Sequence, residues 1–369
     1  MSEQKAPLNK LNTLILTATP LLAITAVPYY GFQFGYDLFE WSTFMLFMGL
    51  TGVSITAGYH RLWTHKSYDA HFSYRLFWSI WGACSLQNSI LHWASDHRNH
   101  HRFVDKDERD PYSAKRGFWF SHIGWILRKY PSGVDDHSNV KDLMEDPVVM
   151  WQHRNYLFLA VSTNLFLPLM IGYWHGDIWG SLLLAGLLRL VLNHHFTFLI
   201  NSLAHIWGDQ EYDADNTARD SHFLAFFTYG EGYHNYHHRF QWDYRNGIRW
   251  WHFDPAKWLV KVCSWVGLCY GLKKPSKFKI EQAHLRVEYN RAVAETQPSI
   301  RERLEGSYLK LSSALEDLAS LQKQVLESGS TEATSQFDRA EIGQRYEELK
   351  SNLGSLRQEW HSLRSEVAA

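Results

Sequence analysis

The sequence predicts an all-α, multi-pass membrane protein with four transmembrane helices, a histidine-rich helical cap and a C-terminal helical tail. Three observations predict this fold class. Four long stretches lack charged side chains almost entirely, histidines recur in three short clusters near those stretches, and the end of the chain repeats apolar residues at heptad spacing. We therefore divide the chain into a membrane domain, residues 1–275, and a helical tail, residues 276–369.

The composition excludes several other classes of protein. The 369 residues include 37 Lys and Arg and 38 Asp and Glu, so the net charge of −1 offers no basic field for nucleic acid. Three cysteines are too few for a disulfide scaffold or for a four-cysteine iron–sulfur cluster. Aromatic residues make up 15% of the chain, which suits a membrane protein with aromatic side chains at its interfaces.

Four stretches are long enough to cross a hydrocarbon core of about 30 Å. They cover about residues 11–36, 41–60, 156–176 and 178–201. Arg189 interrupts the fourth stretch, and a charge at that depth must face protein or reach the interface. A further apolar run, residues 76–91, ends in Gln87 and Asn88, so we interpret it as an amphipathic or buried helix.

The basic residues predict the orientation of the spans. The two short connections, residues 31–40 and 175–177, contain no Lys or Arg, whereas residues 61–155 and the chain after residue 201 carry most of them. The positive-inside rule therefore places both termini and the histidine clusters in the cytoplasm, facing the inner membrane if the source is bacterial. No signal peptide with a cleavage site is recognised.

The tail predicts two helices joined by residues 327–336, a Gly/Ser/Thr-rich linker. Its apolar residues keep largely a four–three spacing on both sides of that linker. They are Leu304, Tyr308, Leu311, Leu315, Leu318, Val325, Ile342, Tyr346, Leu349, Leu353, Leu356, Trp360 and Leu363. This pattern predicts a helical hairpin or a coiled coil through which the chain oligomerises, and a solvated tail is the alternative.

Histidines form the strongest chemical signal in the sequence. A single histidine is usually an ordinary polar residue, but here the pattern H-x-x-H-H occurs twice, and a pair five residues apart lies where the second span ends. Spacings of three and four residues place the imidazoles of each cluster on one face of a helix. The candidates are His60, His65, His97, His100, His101, His205, His234, His237 and His238.

This set predicts a metal centre. Eight or nine imidazoles are too many for one ion and sufficient for two, and imidazoles beside a bilayer suit a non-haem di-iron centre. The Glu-x-x-His pattern of soluble di-iron bundles is absent. Nearby carboxylates could orient the imidazoles, and the candidates are Asp96, Asp220, Glu231 and Asp243.

The chain resembles the membrane acyl-CoA desaturases of the stearoyl-CoA, Δ9 type. The resemblance covers about residues 10–272 and is carried by five stretches: 58–65, 93–101, 116–131, 201–205 and 230–240. Histidine clusters alone also occur in membrane alkane hydroxylases. The five-residue step between the first two histidines, followed in order by H-x-x-H-H, N-S-x-A-H and G-E-G-Y-H-N-Y-H-H, is more particular to desaturases.

The resemblance implies two non-haem iron ions, held by the nine candidate histidines, with Asn201 approaching one ion through water. It further implies that iron and O2 convert a saturated acyl chain into one with a cis double bond. No cofactor-binding motif or haem domain for electron supply is recognised, so an external ferredoxin or cytochrome with its reductase is implied.

The resemblance also implies contacts to a long-chain acyl-CoA substrate. Asn88 and Asp96 match contacts to the coenzyme A head group, and Arg128 and Lys129 match a basic pair near its phosphates, for which a membrane anchor is the alternative. Ser95 departs from an arginine of animal members, which puts the affinity for the head group in doubt.

A further set matches the bend of the acyl tunnel, for which plain core packing is the alternative. Gln87, Trp93 and Thr197 agree with the family pattern, and Phe198 replaces a tryptophan of the animal type. The sequence leaves open a related hydroxylase or alkane monooxygenase, a desaturase of lipid-linked acyl chains, and a metal-binding protein without activity. It does not determine the chain length, the double-bond position, the electron donor or the oligomeric state.

Overall fold

The computed structural model describes residues 6–106, 108–133, 137–294, 296–330 and 336–368. These residues form two compact units. The first comprises residues 1–209 and 216–273, and the second comprises residues 210–215 and 274–369.

Helices make up nearly all the regular structure of the first unit. Its α-helices are α1 Lys10–Gln33, α2 Leu38–Val53, α3 Phe72–Cys84, α4 Ile90–Phe103, α5 Trp125–Leu127, α6 Lys141–Met144, α7 Pro147–Arg154, α8 Tyr156–Val161, α9 Leu167–His175, α10 Ile178–Ser181, α11 Arg189–Asn201, α12 His222–Phe227, α13 His234–Arg239 and α14 Pro255–Trp265. Turns of π-helix cover Ser54–Thr64, Phe120–Gly124, Ser162–Phe166 and Leu182–Leu188, and short 3₁₀ turns cover Ala114–Arg116, Pro131–Gly133 and Leu203–His205.

One short antiparallel pair of strands accompanies the helices of the first unit. Strand β1, Asp69–Ala70, pairs with β2, Cys269–Tyr270, so that Asp69 faces Tyr270 and Ala70 faces Cys269. The pair joins the chain just after the first histidine cluster to the end of the first unit.

Within the described residues, four helices are long and apolar enough to cross a membrane, as the sequence predicts. They are Lys10–Gln33, Leu38–Thr64, Tyr156–His175 and Ile178–His205. The helices that contain the predicted second and fourth spans, 41–60 and 178–201, continue to residues 64 and 205, through polar residues into the histidine-bearing turns. Within the further apolar run, helix α3 ends at Cys84, and the run is not among the spans.

Polar residues close the two short connections between spans. The Asp37 side chain caps α2 by accepting from the backbone N–H of Glu40, and the Glu40 carboxylate accepts from the backbone N–H of Asp37 in return. The Asp177 carboxylate caps α10 and accepts the hydroxyl of Tyr30 at 2.7 Å. These caps satisfy backbone donors that a membrane-spanning helix end would otherwise leave unpaired.

The second unit is a bundle of three helices, α15 Lys277–Ala294, α16 Pro298–Ser330 and α17 Gln336–Ala368. Helices α16 and α17 run antiparallel, since Arg303 pairs with Glu366 and Lys310 with Glu359. Within this bundle the buried apolar side chains pack on one another. They are Phe278, Leu285, Ala292, Leu304, Leu311, Ala314, Leu315, Leu318, Ala319, Leu353, Trp360 and Leu363.

This bundle corrects three details of the prediction for the tail. Helix α15 was not expected, because its sequence is charged and lacks a long heptad pattern. The linker is shorter than predicted, since residues 327–330 and residue 336 are helical and residues 331–335 lie outside the described residues. Val325 is 42% exposed instead of buried. The heptad residues that are buried pack within one chain, which favours the hairpin over an oligomerising coiled coil.

Candidate metal centre

The nine candidate histidines lie together in two groups. One, the five-histidine group, contains His60, His65, His97, His101 and His237; the other, the four-histidine group, contains His100, His205, His234 and His238. In each group one ring nitrogen of every residue lies within 4.8 Å of the others. Nitrogen ligands on opposite sides of one ion, each at about 2.1 Å, lie about 4.2 Å apart, so each group has the dimensions of a metal site.

Each H-x-x-H-H cluster divides between the two groups. On α4, His97 and His101 belong to the five-histidine group and His100 to the other; on α13, His237 belongs to the five-histidine group and its neighbours to the other. Both helices therefore contribute to both groups. Two ions bound there would share their supporting helices.

His100 provides the clearest test of whether a metal fits. Its Nδ1 lies 2.9 Å from the carboxylate of Asp110, which can only accept, so Nδ1 carries the proton. In the neutral ring, Nε2 is then unprotonated and offers its lone pair. That atom is buried and has no hydrogen-bond partner within the residues that the structure describes, and the same holds for Nε2 of His65. A buried, unpaired imidazole nitrogen inside such a group suits a metal cation.

Other contacts orient further rings in the same way. Nδ1 of His97 lies 3.0 Å from the hydroxyl of Tyr112. Nδ1 of His205 lies 2.9 Å from the hydroxyl of Thr217, and that hydroxyl lies 2.6 Å from the carboxylate of Asp105. Because the Thr217 hydroxyl donates to the carboxylate, it accepts from His205. The Nδ1 side of these rings therefore faces protein and leaves Nε2 for a metal.

Six of the candidate imidazoles lie in surroundings that favour the neutral ring, which is the form that binds metals. Burial, and then the neighbouring imidazoles, lower the pKa of five rings far below the usual range: His65, His97, His101, His237 and His238. Burial lowers the pKa of His234 to about 3.

A buried carboxylate, Glu231, supports the first histidine cluster. Its Oε2 lies 2.9 Å from Nδ1 of His60, and its Oε1 lies 3.0 Å from the guanidinium of Arg61. Burial by itself would raise the pKa of Glu231, but attraction to His60 and Arg61 and their hydrogen bonds lower it to about 2. The carboxylate is therefore ionised and can orient the His60 ring. The amide of Asn246 also donates to Oε2 of Glu231, at 2.6 Å.

The four carboxylates named from sequence have different positions. Glu231 contacts a candidate ligand, Asp220 accepts the backbone N–H of Asn235 at the start of α13, and Asp243 accepts the hydroxyl of Tyr236. Asp96 lines a cavity beside the histidines.

Sequence reasoning missed Asp105, Asp110, Tyr112 and Thr217, which lie in loops outside the histidine clusters. An acidic or hydroxyl residue in a loop gives no periodic signal that could have revealed its contact.

A largely apolar cavity of about 860 Å³ opens beside the histidines. His60, His97 and His234 form part of its wall, and so does Asn201. All eight residues that the family resemblance assigns to substrate also line it: Gln87, Asn88, Trp93, Asp96, Arg128, Lys129, Thr197 and Phe198.

Hydrogen bonds fix part of the cavity wall. Gln87 Nε2 donates to the hydroxyl of Thr197 at 2.9 Å, and the indole N–H of Trp93 donates to Gln87 at 3.4 Å. Ser95 does not line the cavity; its hydroxyl donates to Asn139 at 2.7 Å. The side chain at position 95 is therefore not part of the cavity wall.

The fold and this site define an integral membrane protein with histidine groups of metal-binding geometry beside an apolar cavity. The chain belongs to the fatty acid desaturase family, whose model matches residues 39–268.

Several curated desaturases are similar to the chain. Acyl-CoA desaturase 1 of Saccharomyces cerevisiae is 42% identical over 282 residues, which are 76% of this chain and 55% of that protein. Stearoyl-CoA desaturase 5 of Bos taurus is 37% identical over 242 residues, 64% of this chain and 72% of that protein. Acyl-CoA Delta(11) desaturase of Trichoplusia ni is 36% identical over 262 residues, 69% of this chain and 74% of that protein. The chain thus spans about half the length of the yeast relative.

Proposed function

We propose that the chain is a di-iron, O2-dependent desaturase that inserts a cis double bond, at Δ9, into a saturated long-chain fatty acyl-CoA. Electrons come from an external ferredoxin or cytochrome with its reductase. The observation that carries the proposal is the arrangement of nine histidines in two groups beside one apolar cavity, whose wall includes His60, His97 and His234. The relatives named acyl-CoA and stearoyl-CoA desaturases support the substrate class.

The five- and four-histidine groups would each hold one iron ion, with Asn201 beside them at the wall. Bound iron would supply the oxidation by O2, which amino-acid side chains cannot perform at an unactivated methylene. The protein's part is to position the substrate. The cavity excludes water and holds the acyl chain with one pair of C–H bonds near the histidines, while Asp110 and Glu231 keep two of the rings in place.

The proposal places the histidines and both termini on the cytoplasmic side, where acyl-CoA and soluble electron donors occur. One relative is named for a Delta(11) double bond, so membership of the family does not by itself decide the position. In our proposal the depth to which the acyl chain enters the cavity decides the position, and that position is Δ9 in this chain.

Expression in a host that lacks its own desaturase tests the function directly. We expect a monounsaturated fatty acid whose double bond lies at Δ9, formed only with O2 and absent with the His237→Ala variant. Membranes supplied with labelled acyl-CoA, or with the same chain in a phospholipid, separate the two substrate classes. A hydroxylated product would contradict desaturation and favour the related hydroxylase, and faster conversion of the phospholipid chain would contradict the acyl-CoA assignment.

The basic pair gives a prediction about substrate binding. Arg128 and Lys129 line the cavity, and Nη1 of Arg128 donates to the carbonyl oxygen of Ala6 at 2.6 Å, which holds this side chain at the wall. Replacing both with alanine is expected to raise the KM for acyl-CoA about tenfold or more and to change kcat less than about threefold, because phosphates do not change during the reaction. An unchanged KM, with less protein retained in the membrane, would favour a lipid anchor.

The second unit is expected to be dispensable for chemistry. The family match ends at residue 268, and all nine candidate ligands precede residue 239. Deleting residues 277–369 is therefore expected to leave product formed per iron unchanged within about twofold and to alter abundance or assembly. Turnover per iron and detergent-corrected light scattering measure the two effects. If iron stays bound but turnover collapses, the bundle takes part in electron delivery or catalysis.

A further inference from the structure

Side chains of the fourth span bind backbone carbonyl oxygens of one turn of the chain, residues 84–88. Arg189 Nη1 donates to the carbonyl oxygen of Cys84 at 2.8 Å. Five residues further along the span, His194 Nε2 lies 2.9 Å from the carbonyl oxygen of Ser85. A carbonyl oxygen only accepts, so His194 carries its proton on Nε2 and donates. Two successive carbonyl oxygens are thus bound by two side chains of the same helix.

The turn is strained and forms part of the cavity wall. Leu86 has φ of +53° and Asn88 has φ of +76°, a conformation that costs a residue with a side chain about 1–3 kcal/mol. Gln87 lies between them, and its amide donates to Thr197, which follows His194 by three residues on the span. Such a turn keeps its shape only while its surroundings hold it, and it lines the cavity.

The side chains of Arg189 and His194 both lie buried in the protein interior. Arg189 is fully buried, and its remaining donors bind Asn164 Oδ1 and the carbonyl oxygen of Ala185, both at 2.9 Å. Its guanidinium also lies at the carboxyl end of α3, where a positive charge is favourable. His194 is 4% exposed and itself lines the cavity. Neither residue is among the candidate metal ligands.

We infer that Arg189 and His194 are positioning residues that set where the double bond is placed. They hold the carbonyl oxygens of Cys84 and Ser85, and this fixes Gln87 against Thr197 at the wall of the cavity that would hold the acyl chain. Misplacement of a reacting group by about 1 Å can change its rate about 100-fold, so a small movement of this wall presents a different carbon to the histidines. The inference deepens the proposed function and rests on it.

Two substitutions at His194 test the inference. His194→Phe keeps a ring to stack on Phe198, whose centroid lies 5.7 Å away, but cannot donate to Ser85. His194→Gln keeps an N–H near the position of Nε2. The ratio of positional isomers in the product is expected to change about fivefold to tenfold in His194→Phe, because that factor corresponds to the free energy of one hydrogen bond. In His194→Gln the ratio is expected to return to that of the wild type. His195→Phe is the matched control, because its ring contacts His122 and does not line the cavity.

A second measurement does not require turnover. The Cys84 thiol is fully buried between Thr51 and Thr163, so a membrane-permeant maleimide should modify it slowly in the full-length protein in membranes. Peptide mass spectrometry is expected to show at least about fivefold faster modification in His194→Phe than in wild type, His194→Gln or His195→Phe, because the turn loosens once one hydrogen bond is lost.

The outcomes separate this inference from the proposed function. An unchanged isomer ratio in an active His194→Phe variant overturns the positioning role, whatever the thiol does. If the wild type forms no double bond, the proposed function fails. In that case, faster modification of Cys84 in His194→Phe would still support the conclusion that His194 holds the turn at residues 84–88. Unchanged modification would overturn that conclusion too.

Discussion

Replacing His100 with alanine is expected to lower the iron bound per chain by about half and to abolish desaturation. The reason is local. His100 contributes a buried Nε2 that has no protein partner among the described residues, and its Nδ1 is committed to Asp110. No neighbouring side chain can take its place, because the other three residues of the four-histidine group already face the same point. Elemental analysis and product formation per chain measure the two effects.

Variants of Asp110 and His361 complete this experiment. Asp110→Asn keeps the size of the side chain but replaces a charged acceptor with a neutral one, so iron affinity is expected to fall about 10- to 100-fold while the ligand itself remains. His361→Ala removes an exposed histidine of the second unit and should change neither quantity. Full iron content and activity in His100→Ala would remove this residue from the ligand set.

The existence of the histidine site could be predicted from sequence because its pattern is local. Within α4 and α13, spacings of three and four residues bring imidazoles to one side of a single helix, and helix geometry alone determines that result. The division of each cluster between two groups could not be predicted. It depends on how α4 and α13 approach each other and the end of the second span, which is a property of the packed protein.

The same distinction explains what sequence reasoning missed around the site. Asp110 lies ten residues after His100, and Thr217 lies twelve residues after His205, in segments without helical or strand periodicity. Their contacts follow from loop conformations. The strained turn at Leu86 and Asn88 is a similar case, since leucine gives no signal for a positive φ and asparagine, though enriched there, adopts one at few of its positions. Apolar runs and heptads, by contrast, depend only on which residues are apolar and on their spacing, both of which the sequence contains. They therefore predicted the four apolar helices and much of the core of the three-helix bundle.

Replacing Arg61 with methionine is expected to be among the most destabilising single changes in the first unit. Arg61 is 1% exposed and pairs with two buried carboxylates, with Glu231 at 3.0 Å and Asp254 at 2.9 Å. It also donates to the carbonyl oxygen of Tyr244 at 2.9 Å. Removing one partner of a buried ion pair costs about 3–5 kcal/mol, because the remaining charge stays buried without compensation. We expect the Tm in detergent to fall by roughly 10 °C.

A matched control comes from an exposed ion pair of the same unit. Lys66 lies 2.7 Å from Asp142, and the two side chains are 54% and 32% exposed. Exposed pairs contribute about 0–1 kcal/mol, so Lys66→Met should lower the Tm by only a few degrees at most. A fall in Tm for Arg61→Met no larger than that of Lys66→Met would show that the buried pairs contribute little.

The effect of Arg61→Met should extend to the metal centre through Glu231. Without the guanidinium, burial acts on Glu231 with less opposition, and its pKa is expected to rise from about 2. A carboxylate held less firmly in its ionised form orients the His60 ring less well, so metal in the five-histidine group should bind about 10- to 100-fold more weakly. Metal titration of the folded variant measures this separately from stability. Unchanged affinity in a destabilised variant would mean that Arg61 stabilises the fold alone and that Glu231 holds His60 without it.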